Sequence, residues 1–117
     1  YNYTKNCVVY TGTHDNDTLQ GWYKAINEED REFTIEYLDN KATPIEEIHW
    51  DFIRLALSTV ADTCVIAAQD YLGLGSEARI NTPSSIGGNW VWRVKKDAFT
   101  KELSQKILKL SKIYGRC

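Results

Sequence analysis

A chain of 117 residues is at most one domain, large enough for a modest core and small for an enzyme that alternates strands with helices. Its net charge is −2, and the 14 basic and 16 acidic side chains form no long block of either sign, which argues against a nucleic-acid partner. No apolar run has the length that spans a bilayer, no signal peptide opens the sequence, and no cysteine spacing suits zinc.

Cys7-Val8-Val9-Tyr10 is a short β-branched run that stops against the polar packet Thr11-Gly12-Thr13-His14-Asp15-Asn16-Asp17. A buried parallel strand ending at an active-site face reads this way. Leu19, Trp22, Tyr23 and Ile26 then recur at helical spacing, so a short helix is expected near Asp17, with Asp17 as its cap. Asn27 before Glu28, Glu29 and Asp30 reads as a second helix start, since acids in a first turn complement the helix dipole. Phe33, Tyr37 and Leu38 would form its buried side, with an end around Asp39-Asn40.

Thr43-Pro44-Ile45-Glu46 has the form of a capping box, with Thr as cap and Pro in the first helical position. Ile45, Ile48, Phe52, Leu55 and Ala56 carry that helix to about Thr59. A second strand, Thr63 to Ala68, follows Asp62 and delivers Gln69-Asp70. Strand, helical crossover and strand predict a right-handed parallel unit and an α/β fold. Gln69 to Arg93 shows little periodicity and many glycines, and a loop of that length in a small domain is usually functional. A last helix is expected from about Asp97, with Phe99, Leu103, Ile107, Leu110 and Tyr114 as its apolar face and Gly115 as its C-cap.

Cys7 and Cys64 occupy matching places in the two strands and Cys117 is the last residue, a usage that points to reduced thiols in a cytoplasm-like compartment. The sequence contains no Met and begins within a few residues of a buried strand, so a piece of a longer protein is expected. Four Trp and seven Tyr fill cores but also stack on the apolar faces of sugar rings, which raises carbohydrate as a ligand class.

His14-Asp15 at a strand end admits two readings, a turn in which the Asp caps the next helix, or a substrate-gripping acid beside an imidazole donor. Asp17 stands directly before the helical pattern and is better placed as the cap, which frees Asp15 for something else. Asp70 and Glu77 suggest a retaining glycosidase pair. Set against this, a Glu77–Arg79 ion pair would fix the loop and Asp70 would hydrogen-bond loop backbone. Asn81, Asn89, Trp90 and Trp92 suit sugar hydroxyls and ring faces, and equally a loop anchored by Trp. Gly73-Leu74-Gly75 opens no helix and fails as a dinucleotide site.

Two runs carry a family resemblance. The first is Tyr10-Thr11-Gly12-Thr13-His14-Asp15-Asn16-Asp17-Thr18-Leu19 with Gly21-Trp22, and the second is Gln69-Asp70-Tyr71-Leu72-Gly73-Leu74-Gly75-Ser76-Glu77-Ala78-Arg79-Ile80-Asn81-Thr82-Pro83 with Gly88-Asn89-Trp90-Val91-Trp92-Arg93. In these the sequence resembles the 4-α-glucanotransferases (amylomaltase, or disproportionating enzyme) of glycoside hydrolase family 77. Ser84 replaces a usual glycine, and Ala67 stands where a proline often precedes Gln-Asp. The resemblance implies a (β/α)8 TIM barrel of which residues 1–117 form the C-terminal part, the seventh and eighth units, and no complete independent domain.

By the same resemblance Asp15 matches the catalytic acid that stabilises the transition state through sugar hydroxyls, while His14 and Asn81 match substrate-binding residues. The implied partner is an α-1,4-glucan or maltooligosaccharide, transferred through a covalent glycosyl-enzyme, with no cofactor, no metal, no nucleic acid and no membrane. The family's nucleophile Asp and acid/base Glu belong to earlier strands, so the chain alone is expected to be inactive and to self-associate. The location is expected to be cytoplasmic, or a plastid in a plant or alga. The alternative is a non-catalytic glucan-binding α/β module built on the Trp-rich loop, or a purely structural remnant.

Overall fold

Val8–Tyr10 (β1) and Thr63–Val65 (β2) pair in parallel, with Val8 opposite Thr63, Val9 opposite Cys64 and Tyr10 opposite Val65. The structure, a computed structural model, describes residues 7–13, 16–38, 44–82, 85 and 87–116. Between the strands lie Leu19–Ala25 (α1), Glu28–Leu38 (α2), a 3-10 turn at Ile45–Glu47, and Ile48–Leu57 (α3). Parallel strands need such a crossover, because a tight turn returns the chain antiparallel. After β2 come Ala68–Tyr71 (α4), a 3-10 turn at Ser76–Ala78, and Lys101–Ile113 (α5). The expected parallel pairing is present, whereas Cys64 stands opposite Val9 rather than Cys7.

Three helices, α1, α2 and α5, begin where a side chain captures a free N–H, whereas α3 and α4 start without a side-chain cap. For α1 that side chain belongs to Thr18, not Asp17: Thr18 Oγ1 accepts from the Gly21 N–H at 3.1 Å. Asp17 stands one residue too early and accepts from the Thr18 N–H itself at 2.7 Å. Arg31 closes the other end of α1, donating from Nε to the Tyr23 carbonyl at 3.1 Å and from Nη2 to the Lys24 carbonyl. Asn27 starts α2 as expected, its Oδ1 accepting from the Asp30 N–H at 2.8 Å. Phe33 does not form a buried side, being 70% exposed, and the side chains of Tyr37 and Leu38 lie outside the described residues.

Thr43 also lies outside the described residues, and Pro44 is extended rather than helical. The turn after it is 3-10, broken from α3 at Glu47, whose φ of −112° and ψ of 3° are not helical. The final helix starts at Lys101, capped by Thr100 Oγ1 accepting from the Leu103 N–H at 3.1 Å. Asp97 has a φ of +61° and cannot begin a right-handed helix, so Phe99 precedes the helix and is exposed. At the C-terminus Gly115, with φ +68°, lets the Arg116 N–H reach the Ser111 carbonyl and the Gly115 N–H reach that of Lys112. This is the Schellman arrangement that glycine favours.

The core lies between α3 and α5. Trp50, Ile53, Leu57 and Leu110 are buried together, with Leu19, Cys64, Ile66, Tyr71, Leu103, Ile107 and Tyr114 packed around them. Phe52 links α1 to α3 by edge-on contacts with Trp22 at 5.7 Å and Tyr23 at 6.3 Å. The Lys106 ammonium sits 4.0 Å over the Trp50 ring. On the other side of the sheet Val8, Tyr10 and Val65 are exposed, so the strands are covered on one face only.

Candidate active site

The C-terminal ends of β1 and β2 lie side by side, and the polar residues after each strand are tied to those after the other. Thr11 follows β1, and its N–H extends the ladder to the Val65 carbonyl at 3.1 Å. Its hydroxyl donates to Asp70 Oδ2 at 2.7 Å and accepts from the Ala67 N–H at 3.3 Å. Asp70 is buried in α4, and its Oδ1 accepts from the Leu19 N–H at 2.9 Å, at the start of α1. One carboxylate thus joins the end of β1, the start of α1 and the turn after β2. The Asp side chain is suited to this, since both of its oxygens accept and both meet donors here.

A second tie runs the opposite way. Asp17 Oδ2 accepts from the Ser76 hydroxyl at 2.7 Å while Oδ1 holds the Thr18 N–H. Gly21 is required beneath this pair, because an added Cβ would collide with Ser76 Oγ and stand 2.6 Å from Asp17 Oδ1. Within the loop itself Asn16 Oδ1 accepts from the Thr13 N–H at 2.7 Å and the Thr13 hydroxyl at 2.9 Å. The Asn16 N–H returns a bond to the Thr13 carbonyl at 3.1 Å. His14 and Asp15 themselves lie outside the described residues.

The ties frame an open cleft of about 570 Å³, lined by Tyr10, Thr13, Asn16, Asp17, Gln69 and Arg79 among others. Asn81 comes just after Ile80 of that lining, and its carbonyl accepts from Arg79 Nε at 2.9 Å. Asn89 is spent on loop structure: its Oδ1 accepts from the Thr82 N–H at 2.9 Å and its Nδ2 donates to Ser85 Oγ at 3.2 Å. Trp90 is exposed, with a φ of +60°. Trp92 is half-buried and lines a separate cleft of about 230 Å³ with Leu72, Leu74 and Glu77. Glu77 folds back onto the Gly75 N–H at 3.1 Å.

Asp70 and Glu77 each accept a backbone N–H group, from Leu19 and Gly75, which is the loop-fixing role set against the glycosidase pair. Sequence reasoning did not single out Thr11 or Ser76. For Thr11 a hydroxyl at a strand end was the signal, and for both residues the partner lies 59 positions away in sequence. Among the described residues no group of His, Cys, Asp and Glu could hold a metal, and no helix is long and apolar enough to cross a membrane.

Comparison with known proteins adds a family. A family model described as 4-alpha-glucanotransferase, that of glycoside hydrolase family 77, matches residues 1–100. The 4-alpha-glucanotransferase of Clostridium butyricum is 51% identical over 118 residues, which cover 100% of this chain and 24% of that protein. The chloroplastic/amyloplastic 4-alpha-glucanotransferase of Arabidopsis thaliana is 40% identical over 119 residues, covering 99% of this chain and 20% of that one. Among solved structures, the amylomaltase from Streptococcus agalactiae in complex with acarbose superposes with a TM-score of 0.89 at 32% identity, over 98% of this chain and 23% of its own. The chain spans about a quarter of the length of the relatives it matches.

Proposed function

Since the chain belongs to glycoside hydrolase family 77, the 4-alpha-glucanotransferases, we propose that it is the C-terminal part of a (β/α)8 barrel, its seventh and eighth units. The whole barrel transfers α-1,4-glucan segments between maltooligosaccharides. What carries this reading is the superposition over 98% of the chain on 23% of an amylomaltase, together with a parallel strand pair whose polar ends converge on one cleft. Active sites of such barrels sit at the C-terminal ends of the strands, and this cleft is at that end.

In this reading Asp15 hydrogen-bonds the sugar hydroxyls as the ring flattens toward an oxocarbenium-like state, and His14 and Asn81 hold the same substrate. Bonds that strengthen along the reaction lower its barrier, whereas uniform binding does not. The nucleophile and the acid/base come from earlier strands of the barrel. The 117 residues alone therefore give no turnover.

A chimera tests this: the matching quarter of the Clostridium butyricum enzyme is replaced by these 117 residues and given maltotriose. Glucose release with formation of longer maltooligosaccharides is expected, falling by at least a hundredfold, roughly the worth of a lost transition-state contact, on Asp15→Asn. A folded chimera without transfer, or an Asp15→Asn variant at full rate, overturns the assignment.

A further inference from the structure

We infer that Thr11 and Asp70 are positioning residues for the catalytic loop after β1, an inference that rests on the role of Asp15 proposed above. The loop is bounded by Thr11 at the end of β1 and by Leu19 at the start of α1. Both boundaries are held by one buried carboxylate: Asp70 Oδ2 takes the Thr11 hydroxyl at 2.7 Å and Oδ1 takes the Leu19 N–H at 2.9 Å. The Ala67 N–H, at 3.3 Å from Thr11 Oγ1, adds a third bond from the β2 side. The two ends of the loop are therefore tied to the same turn after β2, and to each other through it.

A buried Asp in a glucan-processing cleft invites a direct chemical role. Its bonds speak against one here, because each oxygen already accepts a donor from the fold. What the arrangement supplies is placement. Groups that act on a reacting centre lose rate steeply when displaced, on the order of a hundredfold for about 1 Å. A side chain that sets where a loop begins and ends acts on turnover without touching substrate.

The test uses the chimera with maltotriose. Thr11→Val removes the hydroxyl at nearly constant shape, and a fall in kcat of roughly ten- to hundredfold with KM within about twofold is expected. Thr11→Ser, which restores the hydroxyl, recovers most of the rate. In an Asp15→Asn background the same Thr11→Val change lowers the residual kcat little, since positioning has nothing left to place. Where Thr11→Val yields no folded enzyme, Asp70→Asn is used, since it keeps the shape and one acceptor, and the same loss in kcat alone is expected. A kcat within twofold of the parent, or an equal loss with and without the Asp15 carboxylate, overturns the inference and leaves the role of Asp15 intact. An Asp15→Asn chimera at full rate removes the role of Asp15 and this inference together.

Discussion

At the scale of single residues, the position of each polar side chain relative to a strand or helix end decides what it does. Asp17 and Thr18 are neighbours that can both cap a helix, and the cap falls to Thr18 because Asp17 stands one residue too early, where it accepts from the Thr18 N–H and the Ser76 hydroxyl. His49 is a different case, an imidazole on the first turn of α3 that is 5% exposed. The backbone N–H of His49 donates to Gln20 Oε1 at 3.3 Å, and the ring Nδ1 has no hydrogen-bond partner among the described residues. The ring lies against Gly73, whose φ is +67° and where a Cβ would come within 2.7 Å of the imidazole. Burial pushes the His49 pKa below its ordinary 6.5, against the pull of Glu47 and with help from Lys106, while Asp70 opposes it. The unfolded chain then takes up a proton at higher pH than the folded one. Stability is full above about pH 6.5 and is lost as pH falls from there toward the lower folded value, by at most about 1.4 kcal/mol per pH unit. Urea denaturation of the chimera and its His49→Phe variant between pH 7.5 and 5.5 checks this. The variant should lose the part of the pH slope that the imidazole causes, and equal slopes would sink the idea.

At the scale of elements, what the sequence makes legible is what depends on neighbours within a few residues. The stripe Ile48, Phe52, Leu55 and Ala56 does mark α3, Asn27 does start α2, and Gly115 does end α5. The misplaced boundaries are those set by distant groups or by backbone geometry, such as the 3-10 turn at Ile45–Glu47 and the late start of α5 after Asp97. Within the candidate site, the strand ends and their polar packets were readable. The Thr11–Asp70 tie, across 59 positions of sequence, was not. Arg116 shows the same limit at the end of α3. Its guanidinium donates to the carbonyls of Leu57 at 3.0 Å, Thr59 at 3.1 Å and Ala61 at 2.9 Å, satisfying groups that a helix end leaves open. Hydrogen bonds from a charged donor are worth about 1.5–3 kcal/mol. Arg116→Ala should therefore lower the stability of the chimera by about 2 kcal/mol, with Arg116→Lys recovering less than half, since one ammonium cannot span three carbonyls. Thermal melting would decide it, and a midpoint unchanged by Arg116→Ala would show that the cap is idle.

At the scale of the molecule, the sheet is the incomplete part. Val8, Tyr10 and Val65 are 47%, 54% and 42% exposed on the face away from the helices, and each strand is paired only with the other among the described residues. Apolar faces and open strand edges of this kind promote association. The 117-residue chain by itself should show a weight-average mass in sedimentation that rises with concentration, and the pair Val8→Lys and Val65→Lys should reduce that rise. A monodisperse monomer at high concentration would contradict it. The crossover between the strands has a further consequence for how the unit is assembled and how it tolerates change. Thr11 and Asp70 are 59 positions apart, so their contact closes a long loop that contains the intervening helices, and non-local contacts of this kind slow folding. The entropic cost of closing such a loop grows slowly, by about 0.6 kcal/mol for a doubling of its length. Extra residues inserted beside α2, whose Phe33 faces solvent, would delay the meeting of the strand ends while hardly weakening it. The crossover is thus the part of this unit that can change in length while the geometry at the cleft stays as it is.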